Sequence, residues 1–426
     1  MSTIADHRGL PRGYRKLNTR ERRNALMSLG LDEEDLQSLG ADDSWLSFAG
    51  VMVENAVGTL PVPMGVATGF VIDGQEVAIP MATEEPSVIA AASYSASLIS
   101  RLGGGLTTSA TEPIMTSQIF VEGDEDICIL IESHREGLIS DARSVLDGME
   151  SRGGGFRGFR VEYLAETSLV RIEVDIDVRD AMGANLLNTV AERMIPRVEE
   201  VTGRSCLMGI LTNAAEQRRA MAEFRIPFAG LRRGRFAGRE LAERVELAAR
   251  LAHEDPRRAV THNKGIMNGI TAIALATGND TRAIEAAAHA WAARSGKYRG
   301  LSRYSVENGY LSARLELPLA LGTVGGASGI HPTAQAALRM LGNPGAQQLA
   351  RYAVALGLAQ NLAAVLALVG EGIQGGHMKL HARRLAWKAG ASEHEIPQVA
   401  ERLLQDGGFS VEAARRELQL IREQAR

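Results

Sequence analysis

The 426-residue sequence predicts an α+β fold in which a compact unit of mixed helix and strand interrupts a larger, mainly helical body. Three observations predict it. Val170, Ile172, Val174, Ile176 and Val178 alternate with Arg171, Glu173, Asp175 and Asp177, the period of two that gives a strand one apolar and one charged face. Around that strand, from residue 116 to 212, strand and helix patterns interleave. From about residue 215 helix dominates, punctuated by Gly278, Gly296, Gly322–Gly329 and Gly370–Gly376.

In order along the chain, residues 18–50 read as helices with acidic turns, Asp32-Glu-Glu-Asp35 among them. Val71–Ile79 reads as strand, turn and strand around Asp73-Gly74. Thr83 is placed to cap a helix that starts near Glu84 and stops at Gly103-Gly-Gly105, with Ala90–Ala92 as a small-sided packing face. A helix near Gly137–Met149 and a strand near Phe159–Tyr163 precede the alternating strand. A helix over Thr189–Glu200 and a strand over Cys206–Thr212 follow it. That order suggests an antiparallel sheet covered on one face, a ferredoxin-like insert. Tyr352–Gly370 is the most apolar long stretch, but Gln360, Asn361 and two glycines dilute it, so it reads as a buried helix and not as a membrane span.

Charge and cysteine content exclude some functions. Lys and Arg number 47 against 51 Asp and Glu, a net charge of −4, so no global basic field recruits nucleic acid. The segment Leu231–Arg239 is locally basic and fits a solvated loop or a contact to an anionic ligand. Cys128 and Cys206 lack CxxC spacing and read as reduced core residues of a cytoplasmic protein. The N-terminal residues show no apolar signal-peptide core.

Five stretches carry candidate chemistry. Asp180-Ala-Met-Gly-Ala-Asn-Leu-Leu-Asn188 follows the strand and opens a helix. Such a start attracts phosphate, or it is an ordinary turn capped by Asn185 or Asn188. In Thr83-Glu-Glu-Pro-Ser87 the acids suit the helix macrodipole. Glu85 as a general acid needs burial to outweigh that dipole. Lys264 stands alone in the apolar, glycine-studded run from Thr261 to Asp280, with Arg258 six residues before it. A lysine held charged beside a substrate carbonyl suits that setting; so do a snorkelling lysine, a capping Asp280 and a surface Arg258. His377 and His381 have metal-ligand spacing, but no HExxH and no third ligand accompany them, so no metal is expected. The glycines before His377 read as a hinge, and the residues after them as a flap. Gly322-Thr-Val-Gly-Gly-Ala-Ser-Gly329 permits close approach of a ligand or tight loop packing.

Together these motifs resemble 3-hydroxy-3-methylglutaryl-coenzyme A reductase in its soluble class II bacterial and archaeal form. The resemblance runs over nearly the whole chain. It is carried by Glu54-Asn-Ala-Val-Gly58, Glu84-Glu-Pro-Ser87, Asp180-Ala-Met-Gly-Ala-Asn185, His262-Asn-Lys-Gly-Ile-Met-Asn268, Ala276-Thr-Gly-Asn-Asp280, Gly322-Thr-Val-Gly-Gly326, Gly357-Leu-Ala-Gln-Asn361 and Gly375-Gly-His-Met378. It implies a large, mainly helical substrate domain from 1–110 and 215–372, an inserted nicotinamide-binding domain over 111–214, and a C-terminal helical flap over 373–426. It also implies reduction of a coenzyme A thioester by two hydrides from NADH or NADPH, interconverting HMG-CoA with mevalonate and coenzyme A. Lys264 would stabilise the oxyanion, Glu85 donate a proton, Asp280 bridge the two, and His377 protonate the departing thiolate. Ser87, Arg258 and Asn268 would hold the acyl part. Asp180, Met182, Gly183, Ala184 and Asn185 would meet the cofactor. Family members are dimers or trimers of dimers with interfacial active sites. Aligned through Gly153-Gly-Gly155, the position that is acidic in NADH-preferring relatives falls on Leu146, with Asp147, Arg143 and Arg152 nearby, so NADH and NADPH both stay open. The rival reading is a non-catalytic protein that binds coenzyme A or acyl-coenzyme A.

Overall fold

The computed structural model describes residues 10, 11, 13–40, 43–370, 372 and 374–424, without the side chains of 43 and 374–380. The chain divides into two compact units, Met1–Pro63 and Met64–Arg426. In the first, α1 (Thr19–Ala25), α2 (Glu33–Ser38) and α3 (Asp43–Met52) fall where helix was expected. Asn18 with Glu21, and Asp32 with Asp35, form reciprocal capping boxes that satisfy the first-turn N–H groups of α1 and α2.

The second unit opens with the hairpin β1 (Met64–Ile72) and β2 (Gln75–Ala82), closed by Asp73 and Gly74 at φ 51° and 80°. Then comes α4 (Val88–Gly103), four residues later than expected. The Thr83 hydroxyl does accept a backbone N–H, that of Glu85 at 3.2 Å, but this makes a turn. Pro86 disfavours helical φ/ψ at Glu85, so the helix waits until after Ser87.

After β3 (Thr107–Ala110) the inserted unit runs β4 (Ile114–Glu122), α5 (Glu125–Ser133), α6 (Arg135–Arg143), α7 (Asp147–Glu150), β5 (Gly155–Leu164), β6 (Leu169–Asp177), α8 (Ala184–Thr202) and β7 (Cys206–Leu211). Its sheet order is β5-β6-β4-β7, antiparallel throughout, the ferredoxin-like arrangement. Val170, Ile172, Val174, Ile176 and Val178 are buried together, as their alternation required. On the other face Arg160 pairs with Asp175 and Glu173, and Arg157 with Asp177 at 2.8 Å.

The remainder is less helical than the sequence suggested. β8 (Arg219–Pro227) is followed by the short hairpin β9 (Arg232–Arg233) and β10 (Phe236–Ala237), then α9 (Gly238–Glu254), α10 (Pro256–Ala276) and α11 (Thr281–Ala293). Next come β11 (Ser302–Glu307), β12 (Tyr310–Pro318), α12 (Gly326–Ile330), α13 (Pro332–Met340) and α14 (Ala346–Val369). A four-stranded sheet of order β11-β12-β8-β3 thus takes three of its strands from the region where helix was expected to dominate. Ala220, Ala222, Phe224 and Ile226, with Leu311, Ala313, Leu315 and Leu317, form its buried face. By length and composition α14 could span a bilayer, yet most of it is buried within the protein.

The C-terminal helices are α15 (Gln374–Lys388), α16 (Ile396–Asp406) and α17 (Val411–Gln424). Gly375 and Gly376 therefore lie inside α15. The helical path breaks earlier, at Gly370 and at Gly372, whose φ of 86° suits glycine alone. The apolar side chains gather in a large core from residues 67–106 and 220–366, a second from 115–215 with Ala320, and a third from 382–421.

Candidate active site

The site begins with α10. Asp255 caps it by accepting from the Arg257 N–H at 3.0 Å, and Pro256 starts the first turn, where no N–H is needed. One side of the helix is buried through Ile266, Met267, Gly269, Ile270 and Ile273. Lys264 stands on the other side, its side chain 57% exposed, and its Nζ donates to Oε2 of Glu85. Two residues 179 apart in sequence thus meet as an ion pair. Asn268 lies one turn beyond Lys264, and its side-chain amide has no hydrogen-bond partner among the described residues. Ser87 sits beside the pair in sequence at φ 74°, a left-handed conformation costly for a non-glycine residue, and its hydroxyl does not cap α4. Arg258 is half-buried in the first turn of α10, and burial lowers its pKa. Six residues are about one and two-thirds turns, so Arg258 and Lys264 leave the helix roughly 120° apart.

Asp280 departs from the bridging role the resemblance implied. It is the N-cap of α11, accepting from the N–H groups of Arg282 at 3.0 Å and Ala283 at 3.2 Å, and it pairs with Arg282 Nε at 3.1 Å. Partial burial works against its ionisation, but these donors outweigh that and hold its pKa below the usual value. Among the described residues no hydrogen bond joins Asp280 to Lys264 or Glu85; its Oδ2 meets only Arg282, at 3.3 Å. Next to it, Asn279 Oδ1 accepts from Gly322 N–H at 2.7 Å, tying this corner to the glycine loop.

That loop in turn meets the segment before α8. Thr323 N–H donates to the Asp180 carbonyl at 2.8 Å, and a side chain at Gly322 would collide with Met182 N, since a Cβ would lie 2.6 Å from it. The Asp180 carboxylate accepts from Ala346 N–H at 2.7 Å, so it caps α14 from a distance. Gly183 (φ 99°) is the N-cap of α8, with no side-chain cap and no acid in the first turn. The first-turn N–H groups from Ala184 and Asn185 onward are left for an anion, which fits the phosphates of a dinucleotide. Neither predicted cap acts as one. Asn185 is exposed, and Asn188 instead accepts from Leu211 N–H at 3.1 Å. Leu146 is fully buried in the second core, which removes it from any ribose contact; Asp147, Arg143 and Arg152 are exposed nearby.

The sequence reading missed Arg218. Only 4% exposed, it donates to the carbonyls of Ala181 at 3.0 Å, Met182 at 3.3 Å and Leu321. Burial lowers its pKa to about 10, with Asp177 and Asp180 opposing that shift, so it stays charged at neutral pH. It locks the loop before α8 to the strand end before the glycine loop. The signal was its phase: Arg218 falls in step with inward-facing Ala220, Ala222, Phe224 and Ile226.

The side chain of His377 lies outside the described residues. Its helix, α15, approaches the Glu85 turn through Arg384, which donates to the Glu84 carbonyl at 3.2 Å. His381 turns to the C-terminal core instead, its ring 6.3 Å from that of Phe409.

The family model for hydroxymethylglutaryl-coenzyme A reductase matches residues 18–382. A 3-hydroxy-3-methylglutaryl-coenzyme A reductase of Archaeoglobus fulgidus is 40% identical over 417 residues, 96% of this chain and 94% of that one. A probable enzyme of the same name from Borreliella burgdorferi is 33% identical over 386 residues, 90% of this chain and 88% of that one. Among solved structures, the reductase of Streptococcus pneumoniae aligns with a TM-score of 0.75 and 41% identity, covering 96% of this chain and 99% of that one. A class II structure from the same organism, bound to NADPH in open conformations, aligns with the same TM-score and identity over 94% and 99%.

Proposed function

The chain belongs to the hydroxymethylglutaryl-coenzyme A reductase family, and from that membership and the site's geometry we infer how its residues carry the family's reaction. The protein is an oxidoreductase that interconverts HMG-CoA with mevalonate and coenzyme A. The observation that carries the assignment of roles is the Lys264–Glu85 ion pair, a cation and a proton carrier side by side at the edge of an apolar helix.

Two nicotinamide cofactors, bound in turn by the ferredoxin-like unit, would supply the two hydrides, one for each reduction. The thioester carbonyl becomes negative at oxygen in the first step, and the aldehyde oxygen does so in the second. The Lys264 ammonium stabilises both, an effect of roughly 3–4 kcal/mol when pre-oriented. Glu85 delivers the proton that makes the alcohol. Asp280 fixes the start of α11 and the corner that holds the glycine loop, so its contribution is to geometry and local charge. Arg258 pairs with the free carboxylate of the acyl group. Ser87 and Asn268 present unpaired polar groups to the acyl chain. His377, on α15, protonates the thiolate that leaves between the two reductions.

The large core then serves substrate and coenzyme A, the ferredoxin-like unit the cofactor, and α15–α17 the flap. NADPH is the favoured cofactor, supported by the NADPH-bound relative and by Arg143 and Arg152 near the start of α7. A second copy of the chain completes the site in the cytoplasm, as a dimer or trimer of dimers. Exposed Leu247, Leu251 and Val260 on α9 and α10 support that contact. The test is absorbance at 340 nm with mevalonate, coenzyme A and either NAD⁺ or NADP⁺. Growth with NADP⁺ above that with NAD⁺ is expected. No growth with either overturns catalysis and leaves coenzyme A binding.

A further inference from the structure

Behind Lys264, on the buried side of α10, lies a hydrogen-bonded group that the reaction does not use. His262 is 2% exposed, and its Nε2 lies 2.6 Å from the Ser302 hydroxyl at the start of β11. Ser302 Oγ donates to Asn361 Oδ1 on α14 at 2.8 Å, and Tyr304 donates to the same oxygen at 2.9 Å. The same Nε2 also lies 3.3 Å from Asn361 Nδ2, so the imidazole touches both partners, and its tautomer sets which of them it donates to or accepts from. Nδ1 of His262 has no hydrogen-bond partner among the described residues. Burial lowers the pKa of this histidine to about 3, which keeps it neutral for that arrangement. The adjacent Asn263 braces the same turn, accepting from Leu301 N–H at 2.9 Å and donating to the Arg299 carbonyl at 2.9 Å.

The apolar part of the same interface is permissive. At Gly269 a Cβ would lie 3.2 Å from Leu356 and Gln360, and at Gly357 it would lie 2.8 Å from Ile270. The two helices cross closely over small residues, and Ile266, Ile270, Ile273, Leu356, Leu362 and several alanines of α14 are buried in the same core. Such a surface drives packing but discriminates weakly between one register and its neighbour a turn away. A single buried polar pairing does discriminate, because any slip leaves its members unsatisfied.

We propose that His262, Ser302 and Asn361 are positioning residues, a register pin that fixes the rotation and height of α10 against α14 and β11 and thereby places the Lys264 ammonium. The proposal rests on the oxyanion role given to Lys264. Lys264 follows His262 by two residues, so a rotation of the helix that breaks the pin moves the ammonium with it. Lys264 serves both reductions, so loss of the pin slows both equally.

The decisive experiment is a double-mutant cycle of Ser302→Ala and Lys264→Ala, with turnover measured for HMG-CoA and for added mevaldehyde at saturating NADPH. Ser302→Ala removes the hydroxyl that joins histidine to asparagine and leaves the packing intact. It is expected to lower kcat about tenfold for both substrates, with KM for HMG-CoA within threefold of the parent. In the Lys264→Ala background it should cost nothing further, because the pin acts through the lysine. A purely structural role predicts the same additional loss in both backgrounds, and that result overturns the proposal. Parent-like kcat in Ser302→Ala overturns it as well. His262→Gln, whose amide N–H can still reach Ser302, should recover most of the activity lost in His262→Leu; equal losses in the two also overturn it. Parent-like turnover in Lys264→Ala alone signals failure of the underlying role and not of the pin.

Discussion

Helices α10 and α15 carry Lys264 and His377, and they are held in opposite ways. α10 is packed along one apolar side and over the Gly269–Gly357 crossing, and under the proposal above its register is held by the polar group around His262. α15 packs with α16 and α17 in a core of its own, through Ala382, Leu385, Ala386, Val399, Leu403 and Leu418. It joins the large core past the break at Gly370 and Gly372, with Arg384 bonded to the Glu84 carbonyl. Under the roles proposed above, the difference follows the chemistry. Lys264 meets the same oxygen in two successive reductions and gains from a fixed position. His377 acts once, at thiolate release, between two hydride transfers that each need fresh cofactor. A separately cored segment can approach for that step and withdraw.

The largest effect tests the fixed side. Lys264→Ala should lower turnover by about 10²-fold or more for both HMG-CoA and mevaldehyde, with folding intact. Turnover within threefold of the parent for either substrate removes the oxyanion role from that step. The next tests the other side. His377→Gln should cripple thioester reduction but largely spare mevaldehyde, which has no sulfur to expel, while His381→Gln, whose ring faces Phe409, should show no such split. If His377→Gln loses both reactions equally, the contrast between the two helices does not rest on thiolate release.

A third change acts on the loop before α8, part of the unit proposed above to serve the cofactor. Arg218→Met keeps the apolar stem but leaves the carbonyls of Ala181, Met182 and Leu321 without their donor. KM for NADPH is expected to rise about tenfold, with KM for HMG-CoA little changed. An equal rise in both constants would show that Arg218 supports the whole core and not this loop.

How much of this was open to a reader of the sequence depended on the range of each interaction. The ferredoxin-like unit was legible because β6 encodes its two faces within nine residues, charged against apolar. The large sheet was not. Its β8 is built on Ala220 and Ala222, which suit helix as well as strand, and its partner β3 lies more than a hundred residues upstream. Arg218 stayed hidden with that strand. Lys264 stood out by isolation, but nothing in the spacing says that it meets Glu85; that expectation came from the family's motifs. For Asp280 the plain capping role was readable from its place before an alanine-rich helix, and it is the one the structure displays. His262 and Asn361 each sit inside a quoted motif, yet their pairing spans 99 residues.

The smallest effect separates the pinned helix from the rest of the fold by acidity. An unfolded histidine takes up a proton near pH 6.5, whereas burial holds His262 at about 3 in the folded state. Between those values the unfolded chain binds the extra proton, so stability is complete above about pH 6.5 and falls as pH drops toward 3. The slope contributed by this group is at most about 1.4 kcal/mol per pH unit. His253, whose pKa is also lowered by burial and by Arg303, Arg299 and Arg294, adds to it with the same sign. Asp280 also titrates with a lowered pKa, but its contribution is lost below the ordinary carboxylate range, so it does not enter between pH 5 and 6.5. Urea unfolding of the parent at pH 7.0 and 5.5 should therefore show a loss of about 1–2 kcal/mol. In His262→Gln that loss should shrink by at least half, because glutamine takes up no proton in either state. An unchanged loss in the variant would mean that the polar group behind Lys264 does not govern the acid sensitivity of this helix.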